Sequence, residues 1–415
     1  FESHTNDAKY LDTFGHGTAM GGIIACRETW KQSGSAYAAD DYNFYGMAPD
    51  ARLISVKVGD RSGATDVTQM IAAIDWVIAN RNRDGMNIRV LNISYGNQSQ
   101  NDQASDPVSW AAESAWKAGI VVVASSGNDG ANVGLASPGF NNWIITVGAS
   151  DTLGTQSYGD DVIPSFSQVG NGVLRGPDVL APGVNIVSLG DPGSQLSNAY
   201  PNARIGNGFM RGSGTSQAAA VVSGAVALIL SKHPGMWPNV MKAYLKKISQ
   251  PLNGYATFQQ GRGSINLRSA INTEPTYYNN QNLSNGNGTG PISKSRGGNF
   301  LTINGVQLIG EVDVMGNPWN SATMANLVAW GQAWNNGYFN SAPWLGGGFI
   351  YDWNSWAGKT WQGKTWQTTM WMGKTWQGKT WQTGWWTGSG WASAYWANPV
   401  NAGWAGRTWS SSSWG

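Results

Sequence analysis

Three segments carry side chains suited to acyl transfer. Gly15-His16-Gly17-Thr18 sets a histidine ahead of small residues (AMGGIIA), with glycines that let backbone and a bound chain come close. An imidazole there is suited to taking and returning a proton. Gly214-Thr215-Ser216-Gln217-Ala218-Ala219-Ala220 leads into a long apolar segment. A serine hydroxyl attacks a carbonyl only when a base removes its proton and its position is fixed. The first turn of a rigid helix gives that position, and its N–H groups lack carbonyl partners and can face an oxyanion. Ser125-Ser126-Gly127-Asn128-Asp129-Gly130 follows the apolar run GIVVVA, so the Asn128 amide can be aimed at developing negative charge. Alone, each segment also has a plain structural reading. His16 can be a surface or core histidine, Thr215 or Ser216 a helix N-cap, and Asn128 a turn residue.

The elements that must hold these groups are legible from apolar periodicity. Residues 51–58 (ARLISVKV), 88–94 (IRVLNIS), 119–125 (GIVVVAS) and 143–149 (WIITVGA) read as strands. Residues 66–81 carry Val67, Met70, Ile71, Ile74, Val77 and Ile78 at helical spacing, with Asp66 placed as cap, and 107–117 reads as a second helix. Alternating strands and helices predict an α/β fold, a mostly parallel sheet with helices on both faces. Its working residues belong at the C-terminal ends of strands. Residues 215–232 are apolar nearly all round, as expected of a helix buried in the core.

Taken in order, HGT, the Asn92-Ile93-Ser94 strand end, SGN and GTSQAAA resemble the subtilisin-like serine proteases, the subtilase or S8 peptidase family. GMAPDARLISVKV (46–58), TVGA (146–149), PDVLAPGV (177–184), ALILSKHP (227–234) and GRGSINLRSA (261–270) extend the resemblance over residues 13–272. It implies a subtilisin-like fold and hydrolysis of peptide bonds, with His16 as general base, Ser216 as nucleophile, and Asn128 with the Ser216 N–H as oxyanion hole. Ser94-Tyr95-Gly96 and Ser125-Ser126-Gly127 would sandwich the substrate as added strands. Arg61-Ser62-Gly63 would border distant subsites, and Ala136 would floor a shallow specificity pocket. The resemblance also admits calcium as a structural ion. Asp40-Asp41 and Asp160-Asp161, adjacent carboxylates without alternating ligand spacing, assign no metal ligands.

The sequence departs from the family at three places. Gln217 and Ala220 replace a methionine and a proline beside the serine, changes expected to affect packing only. The third departure concerns the histidine's partner, an aspartate on a VxVxDxG strand some thirty or more residues before it. Only fifteen residues precede His16. Asp7 and Asp12 follow no apolar strand, and Asp12 matches the acidic residue common just before HGT. The aspartate strand is therefore expected upstream of Phe1, leaving these 415 residues an impaired enzyme.

Composition sets the remaining expectations. Charged residues are 12 % of the chain, about half the usual share, and the formal net charge is +2. No field directs the chain to nucleic acid, and no apolar run of membrane-spanning length appears. The single cysteine, Cys26, excludes an intrachain disulfide framework and reads as a buried thiol. Low charge with abundant Gly, Asn, Ser and Thr fits an extracellular or cell-surface protein. The expected division is a catalytic domain at 1–272, a linker at 273–299, a small β-containing connector at 300–345 and a Trp-rich repeat at 346–415.

In that last region Trp356, Trp361, Trp366, Trp371, Trp376, Trp381, Trp386, Trp391 and Trp396 recur every five residues. Five is neither a helix nor a strand period, so the chain must turn regularly, and small β-rich or partly disordered structure is expected. Exposed tryptophan faces would suit cell-wall polysaccharide or a cell surface. The leading expectation is a secreted serine endopeptidase acting on proteins or peptides. The alternatives are an inactive subtilase-fold binding module and an adhesive surface protein.

Overall fold

The apolar runs near residues 90, 121 and 145 become parallel strands. β1 (Val90–Ile93), β2 (Val121–Ser125), β3 (Ile145–Ser150) and β4 (Val179–Pro182) form one sheet in that order. Val90 pairs with Val121, Val123 with Ile145, and Val147 with Val179. The structure, a computed structural model, describes residues 11–28, 43–59 and 62–343, apart from 132, 207, 278–279, 299, 304–305 and 336. The Trp register at 346–415 therefore lies outside the described residues.

Every residue of β2, β3 and β4 is buried, as continuous apolar strands in a sheet covered on both faces must be. Helices α1 (His16–Ala25), α2 (Val67–Asn80) and α3 (Pro107–Lys117) come from the N-terminal half. Asp66 caps α2 as its sequence position predicts, accepting the Thr68 N–H at 2.9 Å. α3 packs on β2 and α2 packs on α3. β5 (Ile186–Leu189), α4 (Gln195–Ala199), β6 (Arg204–Ile205) and β7 (Phe209–Gly212) follow, with the three strands in a small antiparallel sheet.

That sheet delivers the chain to α5 (Thr215–Lys232), which runs against all four parallel strands. By length and composition α5 could cross a membrane, but it is the core helix, with Val221, Val222 and Val226 fully buried. α6 (Pro238–Ile248) also packs on β2; α7 (Thr257–Gln260) and α8 (Leu267–Ile271) follow.

Two segments differ from the sequence reading. Residues 51–58 have strand periodicity but form no strand. Leu53 and Ile54 stand 53 % and 40 % exposed, and among the described residues β1 pairs only with β2. An apolar extended segment becomes a strand only when a neighbour supplies the ladder, and the described residues supply none.

The other difference is at residues 286–343, which pack into the same core as the sheet. α9 (Ile292–Ser295), the short strands β8 (Thr302–Ile303) and β9 (Val306–Gln307), and α10 (Ser321–Val328) lie here. Ile292, Leu301, Val314, Trp319 and Phe339 are buried in the main apolar cluster. The expected linker at 273–299 and connector at 300–345 gave no sign of this packing, because much of the docking is by hydrogen bonds. Gly286 N–H bonds Glu113, and Trp110 Nε1–H donates to the Ala325 carbonyl at 2.8 Å.

Candidate active site

Ser216 sits in the first turn of α5 and is buried. Asn128 lies just past the C-terminal end of β2, where a parallel sheet exposes its loops. Thr215 joins them. Its N–H and its hydroxyl donate to Asn128 Oδ1 at 2.9 and 3.0 Å, and its Oγ1 accepts the Gly127 N–H at 3.2 Å. Because a backbone N–H can only donate, the amide oxygen must face Thr215 and Nδ2 must face away from it.

The place Nδ2 faces is defined by Gly214. A Cβ built on Gly214 would lie 3.7 Å from both Asn128 Nδ2 and the Ser216 backbone nitrogen. Two N–H donors thus border one small space together with the Gln217 side-chain oxygen, 2.7 Å from the same Cβ position, so the Gln217 replacement reaches this space and is not confined to packing. The Ser216 N–H has no intrahelical carbonyl to serve, since the first turn never does.

The other side of Ser216 is tied to β1. Ser94 Oγ donates to the Ser216 carbonyl at 3.0 Å, Asn92 Nδ2 donates to Ser94 Oγ at 3.0 Å, and Ser223 Oγ donates to Asn92 Oδ1 at 2.9 Å. This chain fixes the height of α5 along the strand. Sequence reading passed over Asn92 and Thr215 as site residues, although both belong to the motifs it used.

His16 opens α1, which packs along α5 and against β5 through Ala19, Met20 and Ile23. Gly15 precedes it at φ 100°, and a Cβ there would approach Ser194 Oγ to 2.5 Å, so this turn requires glycine. Burial pushes the imidazole of half-buried His16 down to about 4 against the opposing pull of Asp12. At neutral pH it is therefore an uncharged base.

Asp12 is a cap. Oδ1 accepts the Gly15 N–H at 2.8 Å; Oδ2 accepts the Thr18 N–H at 2.6 Å and its hydroxyl at 2.8 Å. Both oxygens serve the turn that carries His16 and the start of α1. Asp7 lies outside the described residues.

Around these groups lie the expected substrate walls. Tyr95 is half-buried near the carboxylates of Asp66 and Asp106, and its hydroxyl is pushed well above the ordinary tyrosine value, mainly by burial. Gly96 faces Ala136 closely: a Cβ on Gly96 would meet the Ala136 methyl at 2.8 Å. Opposite, Ser125, Ser126 and Gly127 are buried. The Ser126 N–H donates to the Val147 carbonyl at 2.9 Å, and the Gly127 N–H is held by Thr215. Both of these backbone donors are therefore engaged within the fold. Arg61 lies outside the described residues, while Ser62 is buried.

Among the described residues no three His, Cys, Asp or Glu side chains converge as a metal ion requires. Asp160 is held by the Thr155 hydroxyl at 2.7 Å, and Asp161 is buried. Asp40-Asp41 lie outside the described residues. Cys26 is half-buried at the end of α1, its thiol raised to about 11 by burial and by Glu28.

Comparison with known proteins gives this arrangement its class. Residues 1–290 match the Subtilase family, and the chain belongs to that family. It is 35 % identical over 266 residues to Serine protease AprX of Bacillus subtilis (strain 168), covering 63 % of this chain and 58 % of that protein. It is 32 % identical over 272 residues to Subtilisin NAT of Bacillus subtilis subsp. natto, covering 65 % of this chain and 58 % of that protein. The chain thus spans less than two thirds of the length of either relative. Among solved structures, Sphericase aligns with a TM-score of 0.48 at 24 % identity, covering 61 % of this chain and 78 % of that one.

Proposed function

We propose that this chain is the greater part of a secreted serine endopeptidase. Ser216 is the nucleophile; His16 takes its proton and returns it to the leaving amine. Asn128 Nδ2 and the Ser216 N–H stabilise the oxyanion. The observation that carries the reading is the Thr215 bridge: two donors engage Asn128 Oδ1, and the amide N–H₂ is left facing the space that the Ser216 N–H borders. Donors fixed before reaction need no reorganisation as charge develops, which makes such a pair effective.

The histidine's carboxylate partner comes from a strand encoded before Phe1. Two observations support this. Asp12 has both oxygens engaged in capping. Residues 51–58 present Leu53 and Ile54 to solvent with no ladder, as a sheet does when a neighbouring strand is missing. An unpaired edge of this kind accepts a strand.

The experiment compares the 415-residue chain with a version extended through its own upstream coding sequence. The extended protein should turn over a chromogenic peptide and react with a fluorophosphonate at Ser216. The shorter chain should be weaker by about 10⁴-fold, the loss expected when a triad lacks its aspartate. Equal activity in both would refute the upstream aspartate. Absence of labelling in both would refute the enzyme.

The Trp-rich segment is proposed to anchor the protein to cell-wall polysaccharide at the cell surface. The supporting feature is the five-residue Trp register in a stretch with little charge. Co-sedimentation of the isolated 346–415 segment with cell walls, with a shift in Trp emission, is the expected result. Neither effect appearing would remove the proposal.

A further inference from the structure

Asp106 caps α3, a post that ordinarily serves one or two backbone N–H groups. Here its carboxylate is fully buried and accepts four hydrogen bonds. Oδ2 takes the Ser109 N–H at 2.9 Å and the Ser137 hydroxyl at 2.7 Å. Oδ1 takes the hydroxyls of Ser99 at 2.7 Å and Ser295 at 2.5 Å. Three of these donors come from segments that matter for a bound substrate. Ser99 follows the Ser94–Gly96 wall, Ser137 follows Ala136 at the floor, and Ser295 belongs to α9, just beyond residue 290, where the match to the family ends.

The same segments are also laced together by backbone. The Asn97 and Ser137 N–H groups bond each other's carbonyls at 3.2 and 2.8 Å. Asn97 Nδ2 donates to the Ser295 carbonyl at 2.7 Å, and the Gln100 N–H donates to the Lys294 carbonyl at 2.9 Å. Gly297, at φ 65°, lies so close behind Gln98 that a Cβ would strike the Gln98 carbonyl oxygen. α9 is therefore seated directly against 97–100.

α9 is itself held from behind. Glu311 accepts the N–H of Ile292 at 2.9 Å and of Ser293 at 3.1 Å, and Arg296 forms a buried ion pair with Asp66. The spacing between wall and floor is thus set by a carboxylate whose fourth donor arrives from α9. Among the described hydrogen bonds, none runs from α9 to His16, Asn128 or Ser216.

We propose that residues 286–343 are a strap that sets the shape of the substrate cleft. Ser295 and Asp106 are positioning residues for selectivity toward substrate side chains on the acyl side of the scissile bond. This rests on reading Ser94–Gly96 and Ala136 as cleft walls. Losing the Ser295 hydroxyl leaves one lone pair of a buried carboxylate unserved and removes the bond that joins α9 to the carboxylate holding Ser137 at the floor, so the pocket loses definition while α9 keeps its other bonds and the Asn128–Thr215–Ser216 geometry keeps its own.

The test uses the full protein, including whatever sequence precedes Phe1, with Ser295→Ala and Ser295→Thr variants. Two substrates are compared: a peptide amide occupying several acyl-side subsites and a small activated ester that reaches only Ser216. In Ser295→Ala the peptide-to-ester ratio of kcat/KM should fall about tenfold, carried by KM, since a hydrogen bond to a charged group is lost at the wall. Hydrogen exchange at the Asn97 and Ser137 amides should accelerate, and Ser295→Thr should restore both readouts. An unchanged ratio, or equal loss on both substrates, overturns the proposal. Fluorophosphonate labelling separates the two failures. Without labelling in the parent protein the protease reading falls, while amide exchange still decides the strap, and unchanged protection in Ser295→Ala sinks it.

Discussion

Replacing Arg296 by methionine should unfold the protein at a measurably lower temperature, and the size of the effect follows from its contacts. The Arg296 and Asp66 side chains are 1 % and 2 % exposed, with Nε to Oδ1 at 2.7 Å and Nη2 to Oδ2 at 3.3 Å. The guanidinium also donates to the carbonyls of Gly310 at 2.8 Å and Val312 at 2.5 Å. Methionine keeps most of the volume and removes every donor. Asp66 would retain Thr68, whose N–H lies at 2.9 Å and hydroxyl at 2.5 Å, but its negative charge would be uncompensated. Breaking one side of a buried pair costs about 3–5 kcal/mol. Counting the described residues alone, about 310, the unfolding entropy is roughly 0.65 kcal/mol per kelvin, which makes the fall in Tm about 5–8 °C. Differential scanning calorimetry on the full chain measures it. The control is Asp66→Asn with Arg296→Met: Asn preserves the α2 cap and removes the buried charge, so this double variant should recover more than half of the loss. A single variant within about 1 kcal/mol of the parent, or a double variant no better than the single, would refute buried charge as the cause.

Three further outcomes are expected. Asn128→Ala in the active protein should lower kcat by about 10²–10³ with little change in KM, and Thr215→Val by about tenfold or less, because the Thr215 N–H still orients the amide; a loss confined to KM would reassign Asn128 to substrate binding. Burial holds the His16 imidazole at about 4 against an ordinary 6.5, so the unfolded chain binds more protons between those values and stability falls as pH drops through that window. His16→Gln should flatten the slope between pH 4.5 and 7 in denaturant melts, whereas an unchanged slope would place the titration elsewhere. Cys26, raised to about 11, should alkylate slowly with iodoacetamide at pH 8 and faster as pH approaches that value; rapid reaction at pH 8 would show a thiolate the fold does not support.

What was legible in the sequence, and what was not, divides by the range of the interaction that decides it. Asp66 could be placed as a cap because its acceptor role is settled two residues away, at Thr68. Its ion pair with Arg296, 230 residues on, left no local trace. α3 and α5 begin and end where their patterns do, because apolar periodicity and a capped start are properties of the segment itself. Residues 51–58 have an equally good pattern and no strand, because a strand is a property of a pair.

The candidate site shows the same division at atomic scale. Residue types and order were enough to name His16, Asn128 and Ser216 as candidates. They were not enough to say which end of the Asn128 amide faces the serine, and that decides whether the site offers a donor or an acceptor to an oxyanion. Thr215 decides it through a backbone N–H that any residue but proline would supply, and its hydroxyl adds a second bond to the same oxygen. Asp12 makes the converse case. Its position just before HGT left it available to the histidine in sequence, yet the Gly15 and Thr18 donors engage both its oxygens. A carboxylate that caps the histidine's own helix fixes where the imidazole starts. The part of this site that a sequence reveals is its chemistry; its polarity is set by neighbours whose own residue types announce only a turn or a cap.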